Sequence, residues 1–230
     1  MPGLYASAVH DQAVDPGAAG GCGAASGSVG VVYVVYGLNA QREAAASVKS
    51  LRAVWPEAEV LVVGDPVEGA TRRIPYAASD EGGRDAKTRL GTLSPWQRTL
   101  YLDADTRVRA DVRAGFEILA DGWDVVTVPS KCHGSDWLWH VGGEERAATE
   151  SEMGGRLLTL GGGVLWWDRN ERTAALWAAW RAEWARWQGQ DQGALMRAYA
   201  ANPCRIWLLS RAWNGGPCIE HRFGAARARR

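Results

Sequence analysis

Thr99-Leu100-Tyr101-Leu102-Asp103-Ala104-Asp105-Thr106 runs an apolar, strand-like stretch straight into two carboxylates one residue apart. Side chains two apart on a strand point to the same side, so Asp103 and Asp105 can converge where the strand ends. Paired carboxylates suit a hard divalent cation, which takes oxygen ligands and in turn grips phosphates. The carboxyl ends of strands are also where open α/β sheets bind ligands. The chemistry this predicts is a metal-dependent reaction on a nucleotide diphosphate. Two aspartates so spaced also suit a solvated turn, and their place directly after an apolar run is what favours a site.

A second carboxylate stands in Asp191-Gln192-Gly193, at the predicted start of a helix. On its residues alone Asp191 reads as an N-cap. The chain carries 13 tryptophans. Trp177, Trp180, Trp184 and Trp187 fall at helical spacing and read as core. Trp137, Trp139 and Trp213 sit in irregular, polar-flanked segments where an indole face can stay open to an acceptor sugar or a base. Variable loops such as 131–143, with His133, Asp136 and His140, are where binding specificity is commonly built.

The elements that must position these residues alternate as in α/β proteins. Residues 31–36 form an apolar, β-branched run typical of a strand covered on both faces. Residues 40–55 form a helix with Ala44, Val48, Leu51 and Trp55 on one face, closed by Pro56. Residues 60–63 are a second strand, ending at Gly64-Asp65-Pro66. Residues 84–93 read as one helix, with Arg84 and Lys87 off its apolar face. After the Asp strand come a short helix with Val112, Phe116 and Leu119 inside and a strand at 125–128. Residues 157–160 and 164–167 are two apolar runs interrupted by Gly161-Gly162-Gly163. Asn170 caps a helix over 171–187, another helix runs from Asp191 to Tyr199, and 206–209 is expected as the last strand.

Bulk properties suit one sizeable domain. The chain has 230 residues and zero formal net charge, so nothing draws it as a whole to nucleic acid or anionic membrane. Residues 1–28, rich in Gly, Ala and Ser, read as a flexible leader without signal-peptide character, and 225–230 as a basic tail. No apolar run reaches the roughly 18 residues of a membrane helix. Cys22, Cys132, Cys204 and Cys218 form no Cys-x-x-Cys pair and read as reduced thiols of a cytoplasmic protein.

The order strand, helix, strand ending in Asp, basic helix, Leu-Asp-Ala-Asp-Thr, Gly-Gly-Gly-Val, Asp-Gln-Gly and a late Trp-Asn with His resembles the GT-A glycosyltransferases, specifically the glycogenin-like and galactosyltransferase group called family 8. The resemblance covers residues 30–224 and implies a single α/β domain with a mixed, mostly parallel sheet flanked by helices. It implies transfer of a hexosyl or pentosyl group, with retention, from a nucleotide-diphosphate sugar to an acceptor hydroxyl, using manganese or magnesium. Asp103 and Asp105 match the family's metal pair, and His221 its late histidine ligand. Asp191 and Gln192 become the reacting centre: Asp191 would orient a hydroxyl, act as general base or stabilise positive charge at the anomeric carbon.

The resemblance also distributes the donor contacts. Arg84 and Lys87 would neutralise diphosphate oxygens or hold the Asp pair. Tyr36, Gly37, Asn39 and Asp65 would flank the base and ribose. Ala104 lies between the metal carboxylates, and Gly162 and Gly163 let backbone approach the donor closely. Two departures stand out. The family's Asn before that glycine element is itself glycine here, and its Gly-x-x-Lys-Pro-Trp after the histidine is absent, so Arg222 or a tail arginine would have to contact the diphosphate. The acceptor is left open among glycan, small molecule and protein, with nucleic acid last, and so is the oligomeric state. A sugar-nucleotidyltransferase is disfavoured because Tyr36-Gly37-Leu38-Asn39 replaces the glycine-rich, arginine-containing loop expected after the first strand. A non-catalytic carbohydrate- or nucleic-acid-binding module would leave the carboxylate pair unexplained.

Overall fold

Alternation of side chains accounts for the sheet. In the computed structural model, which describes residues 27–77, 83–130, 136, 138–154 and 159–226, both faces of the central strands are buried. Val31, Tyr33 and Val35 of β1 (Val29–Val35) face one core, together with Leu100 and Leu102 of β4 (Arg98–Leu102). Val32 and Tyr101 face the other. The first core is closed by α1 (Leu38–Val54), through Ala44, Val48 and Leu51, and by α4 (Ala114–Ala120), through Phe116 and Leu119. The second is closed by α2 (Gly83–Thr88), α3 (Leu90–Leu93), α6 (Glu171–Trp187) and α7 (Asp191–Ala201).

With β2 (Val60–Gly64), β3 (Arg72–Ile74), β6 (Val125–Pro129), β7 (Leu160–Asp168) and β8 (Ile206–Leu208), the described residues form a seven-stranded sheet of order β3-β2-β1-β4-β7-β6-β8. Only β7 runs against the rest. The carboxyl ends of β1, β2, β4, β6 and β8 therefore share one edge. Leaving that edge, the chain after β4 turns into β5 (Thr106–Val108), which pairs antiparallel with β9 (Ile219–His221) in a separate two-stranded ribbon.

Several expectations are corrected. The helix expected over 84–93 breaks at Arg89 into α2 and α3. A Cβ at Gly91 would lie 2.3 Å from the Trp177 ring, so α3 is drawn onto α6 more closely than a continuous helix carrying a side chain there would allow. The three glycines do not separate two runs, because β7 continues through them as one strand. Residues 206–209 are not the last strand, since β9 follows. β3, β5 and α5 (Gly143–Met153) went unpredicted: two are three-residue strands, and α5 is mostly polar. Residues 1–26 and 227–230, which hold most of the expected leader and basic tail, lie outside the described residues, as do Cys22, Lys131, Cys132, His133 and Trp137.

The tryptophan stripe is core at three of its four positions, and Trp187 at its end is only half-buried. Trp177, Trp180 and Trp184 are buried, and Trp177 meets Trp167 of β7 edge-on at 4.8 Å between ring centres. Such a pair contributes about 0.5–1.5 kcal/mol beyond its burial. Asn170 caps α6 through a reciprocal box with Thr173, at 3.0 Å in both directions. A buried ion cluster docks α5 on α7: Arg197 donates to Thr149 at 2.6 Å, to Glu145 at 3.2 Å and to Glu183 at 2.8 Å. This fixes α5, which follows Trp139 and His140 in the chain, against the helix that begins with Asp191. No described helix is long and apolar enough to cross a membrane.

Candidate active site

A cleft of about 730 Å³ opens at the shared carboxyl edge of the sheet. Asp103 follows β4 directly, and its N–H extends the ladder by donating to the Gly163 carbonyl at 2.9 Å. Asp105 stands just before β5. Because β5 pairs with β9 in a register that sets Thr106 opposite His221, the histidine arrives beside Asp105. His221 Nε2 lies 3.1 Å from Asp105 Oδ1 and 3.6 Å from Asp103 Oδ2. Its Nδ1 meets Asn214 Oδ1 at 2.7 Å. An amide oxygen can only accept, so Nδ1–H donates to it and the ring is held with Nε2 turned toward the two carboxylates. Two carboxylates and an imidazole nitrogen converging on one point make a ligand set that a divalent cation can take, and the Asn214 bond is the outer support that metal-ligating imidazoles use.

One ligand atom from each of Asp103, Asp105 and His221 falls within 4.8 Å of the others. Gly163 keeps that space open: a Cβ there would come 2.6 Å from Asp103 Oδ2 and 2.7 Å from His221 Cε1. Burial would raise the Asp105 carboxyl, but the His221 contact and the Gly224 N–H, 2.7 Å from Oδ2, hold it down to about 2. The Asp103 Oδ1 atom accepts from the Tyr101 hydroxyl at 2.6 Å. Burial and the Asp103 charge push that phenol well above its ordinary range, so it stays a donor.

Beside this trio runs a chain of paired charges. Lys87 Nζ lies 2.7 Å from Asp191 Oδ2 and 3.6 Å from Asp103 Oδ1. Burial would lower the ammonium, but the two carboxylates outweigh it and hold it above its ordinary value. Burial would raise Asp191, but the Lys87 charge and hydrogen bond keep it below the usual carboxylate range. Arg84 Nε stands 3.9 Å from Asp191 and its Nη2 donates to Gln190 at 3.1 Å. Asp191 is not the helix cap, because Gln190 occupies that position and the Asp191 side chain turns to Lys87 instead. Gln192 donates to the Leu160 carbonyl at 2.7 Å, tying the helix start to β7.

The structure thus brings together Arg84, Lys87, Asp103, Ala104, Asp105, Gly162, Gly163, Trp139, Asp191, Gln192 and His221 along one cleft. Tyr36, Gly37, Asn39 and Asp65 stay outside its lining. The Tyr36 hydroxyl donates to the Tyr76 carbonyl, and Asp65 accepts the Gly37 N–H at 2.6 Å. Val34, Ala40 and Gly83 line that end instead. Trp213 is outside the lining as well: half-buried, it packs edge-on against Trp166 at 6.1 Å on the margin of the first core. Arg222 is engaged by Glu43 at 3.0 Å and does not reach the cleft wall. Sequence reasoning missed Asn214, Arg211, Tyr101 and Phe223. Of these, only Asn214 carried a signal, as the Asn of the late Trp-Asn.

The architecture has close counterparts among solved structures. Residues covering 81% of this chain superpose on 46% of the glycosyltransferase GlyE from Streptococcus pneumoniae TIGR4, with a TM-score of 0.56 at 13% identity. The fold is GT-A. The GT-A likeness extends to mouse xyloside xylosyltransferase 1, with TM-score 0.54, 12% identity, and 80% of this chain against 86% of that one. It extends also to the galactosyltransferase LgtC, solved with donor and acceptor sugar analogues, with TM-score 0.51, 16% identity, and 79% against 73%. The chain spans less than half of GlyE. No protein-family model and no curated protein matches it.

Proposed function

We propose that this protein moves a glycosyl group from a nucleotide-diphosphate sugar to an acceptor hydroxyl. The observation that carries the reading is the convergence of Asp103, Asp105 and His221 at the cleft floor, next to the Lys87–Asp191 pair. These residues fit a divalent cation of the manganese or magnesium type, with the imidazole favouring manganese. Held there, the cation would act as a Lewis acid on the leaving diphosphate.

The remaining chemistry belongs to the chain. Lys87 keeps Asp191 anionic and fixed in direction. The absent side chain of Gly162 leaves a space bounded by Lys87 Nζ and Asp191 Oδ2, 3.4 and 3.6 Å from where its Cβ would stand. A sugar ring entering there meets the Asp191 carboxylate, which stabilises positive charge at the anomeric carbon or orients the attacking hydroxyl. Trp139, half-exposed on the cleft wall, offers the acceptor an apolar face. The family 8 resemblance of the sequence points to a hexosyl or pentosyl donor and to retention. The test is calorimetric titration of UDP, GDP and ADP with and without Mn²⁺, on wild type, Asp103→Asn and Asp105→Asn. One nucleotide should bind only with Mn²⁺, and both variants should lose that dependence. Equal nucleotide affinity with and without metal in all three proteins overturns the reading.

A further inference from the structure

Among the described residues, the charged groups of the cleft pair off with one exception. Arg84 and Lys87 face Asp191, Lys87 also faces Asp103, and His221 sits between Asp103 and Asp105. Arg211, on the 3₁₀ turn Arg211–Trp213, lines the same cleft, and among the described residues its guanidinium has neither a carboxylate nor a hydrogen-bond partner. On the same lining, the part-buried His140 has a buried Nε2 atom without a partner among the described residues. An unpaired guanidinium open to the cleft calls for an anionic ligand, and a buried unpartnered nitrogen on the same lining adds a second polar group left unsatisfied.

Topology says which substrate brings it. In an open α/β sheet a nucleotide lies at the carboxyl ends of the leading parallel strands, here β1 and β2. Arg211 comes from the opposite side. β8 pairs in parallel with β6, Leu209 N–H donates to the Thr127 carbonyl, and Arg211 follows at the carboxyl ends of both strands. The metal trio and β7 lie between this wall and the β1 side. Trp139, 49% exposed, completes it with an aromatic face.

We infer that Arg211, with Trp139 and His140, forms an acceptor subsite for an acidic saccharide, whose ring stacks on Trp139 and whose carboxylate or phosphate meets the Arg211 guanidinium. A guanidinium presents a planar fork of donors that matches either anion and is always charged. This inference rests on the glycosyl-transfer reading, since it names the acceptor of that reaction.

The test is binding of methyl glucuronide, glucose 6-phosphate and methyl glucoside to the full chain loaded with Mn²⁺ and UDP, for wild type, Arg211→Gln and Trp139→Ala. Wild type should bind one acidic probe roughly ten- to a hundredfold more tightly than the neutral one, as expected for a hydrogen-bonded charge. The tighter of the two acidic probes tells carboxylate from phosphate. Arg211→Gln should erase the preference and leave UDP affinity as it was, and Trp139→Ala should weaken all three sugars. Absence of an acidic preference in wild type overturns the inference. So does a fall in UDP affinity with Arg211→Gln, which would make Arg211 a diphosphate contact. Mn²⁺-dependent hydrolysis of a nucleotide sugar by wild type, run in parallel, reports on the transfer reading separately: its absence sinks that reading, whereas its presence without acidic preference sinks only the acceptor class.

Discussion

The two edges of the central sheet each set an aspartate beside basic side chains, and they do so to opposite ends. At the amino edge, Asp124 precedes β6 and is saturated. It accepts Arg172 Nε and Nη2 at 2.8 Å, Asn170 Nδ2 at 2.9 Å and the Arg205 N–H at 2.8 Å. At the carboxyl edge, Asp103 accepts one strong bond from Tyr101 and stands at longer range from Lys87 and His221. A closed cluster stabilises, because every lone pair has a donor. An open one leaves capacity for a ligand, and its like charges are tolerable only while something neutralises them. Saturation and burial together separate the fastening from the site: the Asp124 side chain is fully enclosed, and that of Asp103 is partly open to the cleft.

The comparison is tested most severely at Asp191. Asparagine there is isosteric and retains an oxygen to accept from Lys87, so Asp191→Asn should keep its melting temperature within a few degrees and lose transfer by roughly 10²- to 10⁴-fold. Full activity at saturating donor and Mn²⁺ would make the Lys87–Asp191 pair another fastening. Asn214→Ala comes next. Freeing the His221 ring should lower Mn²⁺ affinity by about 10- to 100-fold, measured by calorimetry, as for other outer-shell supports of metal ligands.

The closed edge makes a pH prediction. Burial would raise the Asp124 carboxyl, but the Arg172 bonds outweigh it and hold it down to about 2. The folded value lies below the unfolded one of about 3.9. Its contribution is therefore fully present above that value and is lost as pH falls through about 2. The shift corresponds to about 2 kcal/mol. Asp124→Asn should lower the melting temperature at neutral pH by roughly 4–8 °C, and the gap to wild type should narrow as acid is added. A constant gap down to pH 2 would refute the assignment. The smallest effect belongs to Arg222, whose side chain is half-exposed against Glu43. Arg222→Ala should cost less than about 1 kcal/mol in denaturant titration and leave nucleotide affinity unchanged.

What the sequence disclosed follows the same division. Strands whose two faces are both buried announce themselves as apolar runs, so β1, β2, β4 and β6 were legible, and with them the place of Asp103 and Asp105. Asn170 and the tryptophan spacing of α6 were equally plain, because caps and helical stripes are local. Residues set by long-range register were not. His221 was placed by resemblance alone, since its position beside Asp105 depends on the β5–β9 pairing of two three-residue strands. Asn214 and Arg211 owe their roles to a short turn with no periodicity. Trp213 shows that an irregular segment can still pack part of a ring inward, here against Trp166. Asp191 looked like a cap because a helix start satisfies that reading locally, whereas its partner Lys87 is far away in sequence.

The β5–β9 ribbon has a consequence for how the protein is made. Gly224, which bonds Asp105, lies 119 residues further along the chain. Synthesis runs from the amino end, so β1, β2 and β4 are made while His221 is still untranslated. Through that interval Asp103 and Asp105 stand exposed without the imidazole, a two-carboxylate site with weak hold on any ion. Binding that needs a complete ligand set is coupled to folding. Under the proposed function, tight metal capture waits for β9, and a nascent chain stalled before it would hold the two aspartates without their third ligand.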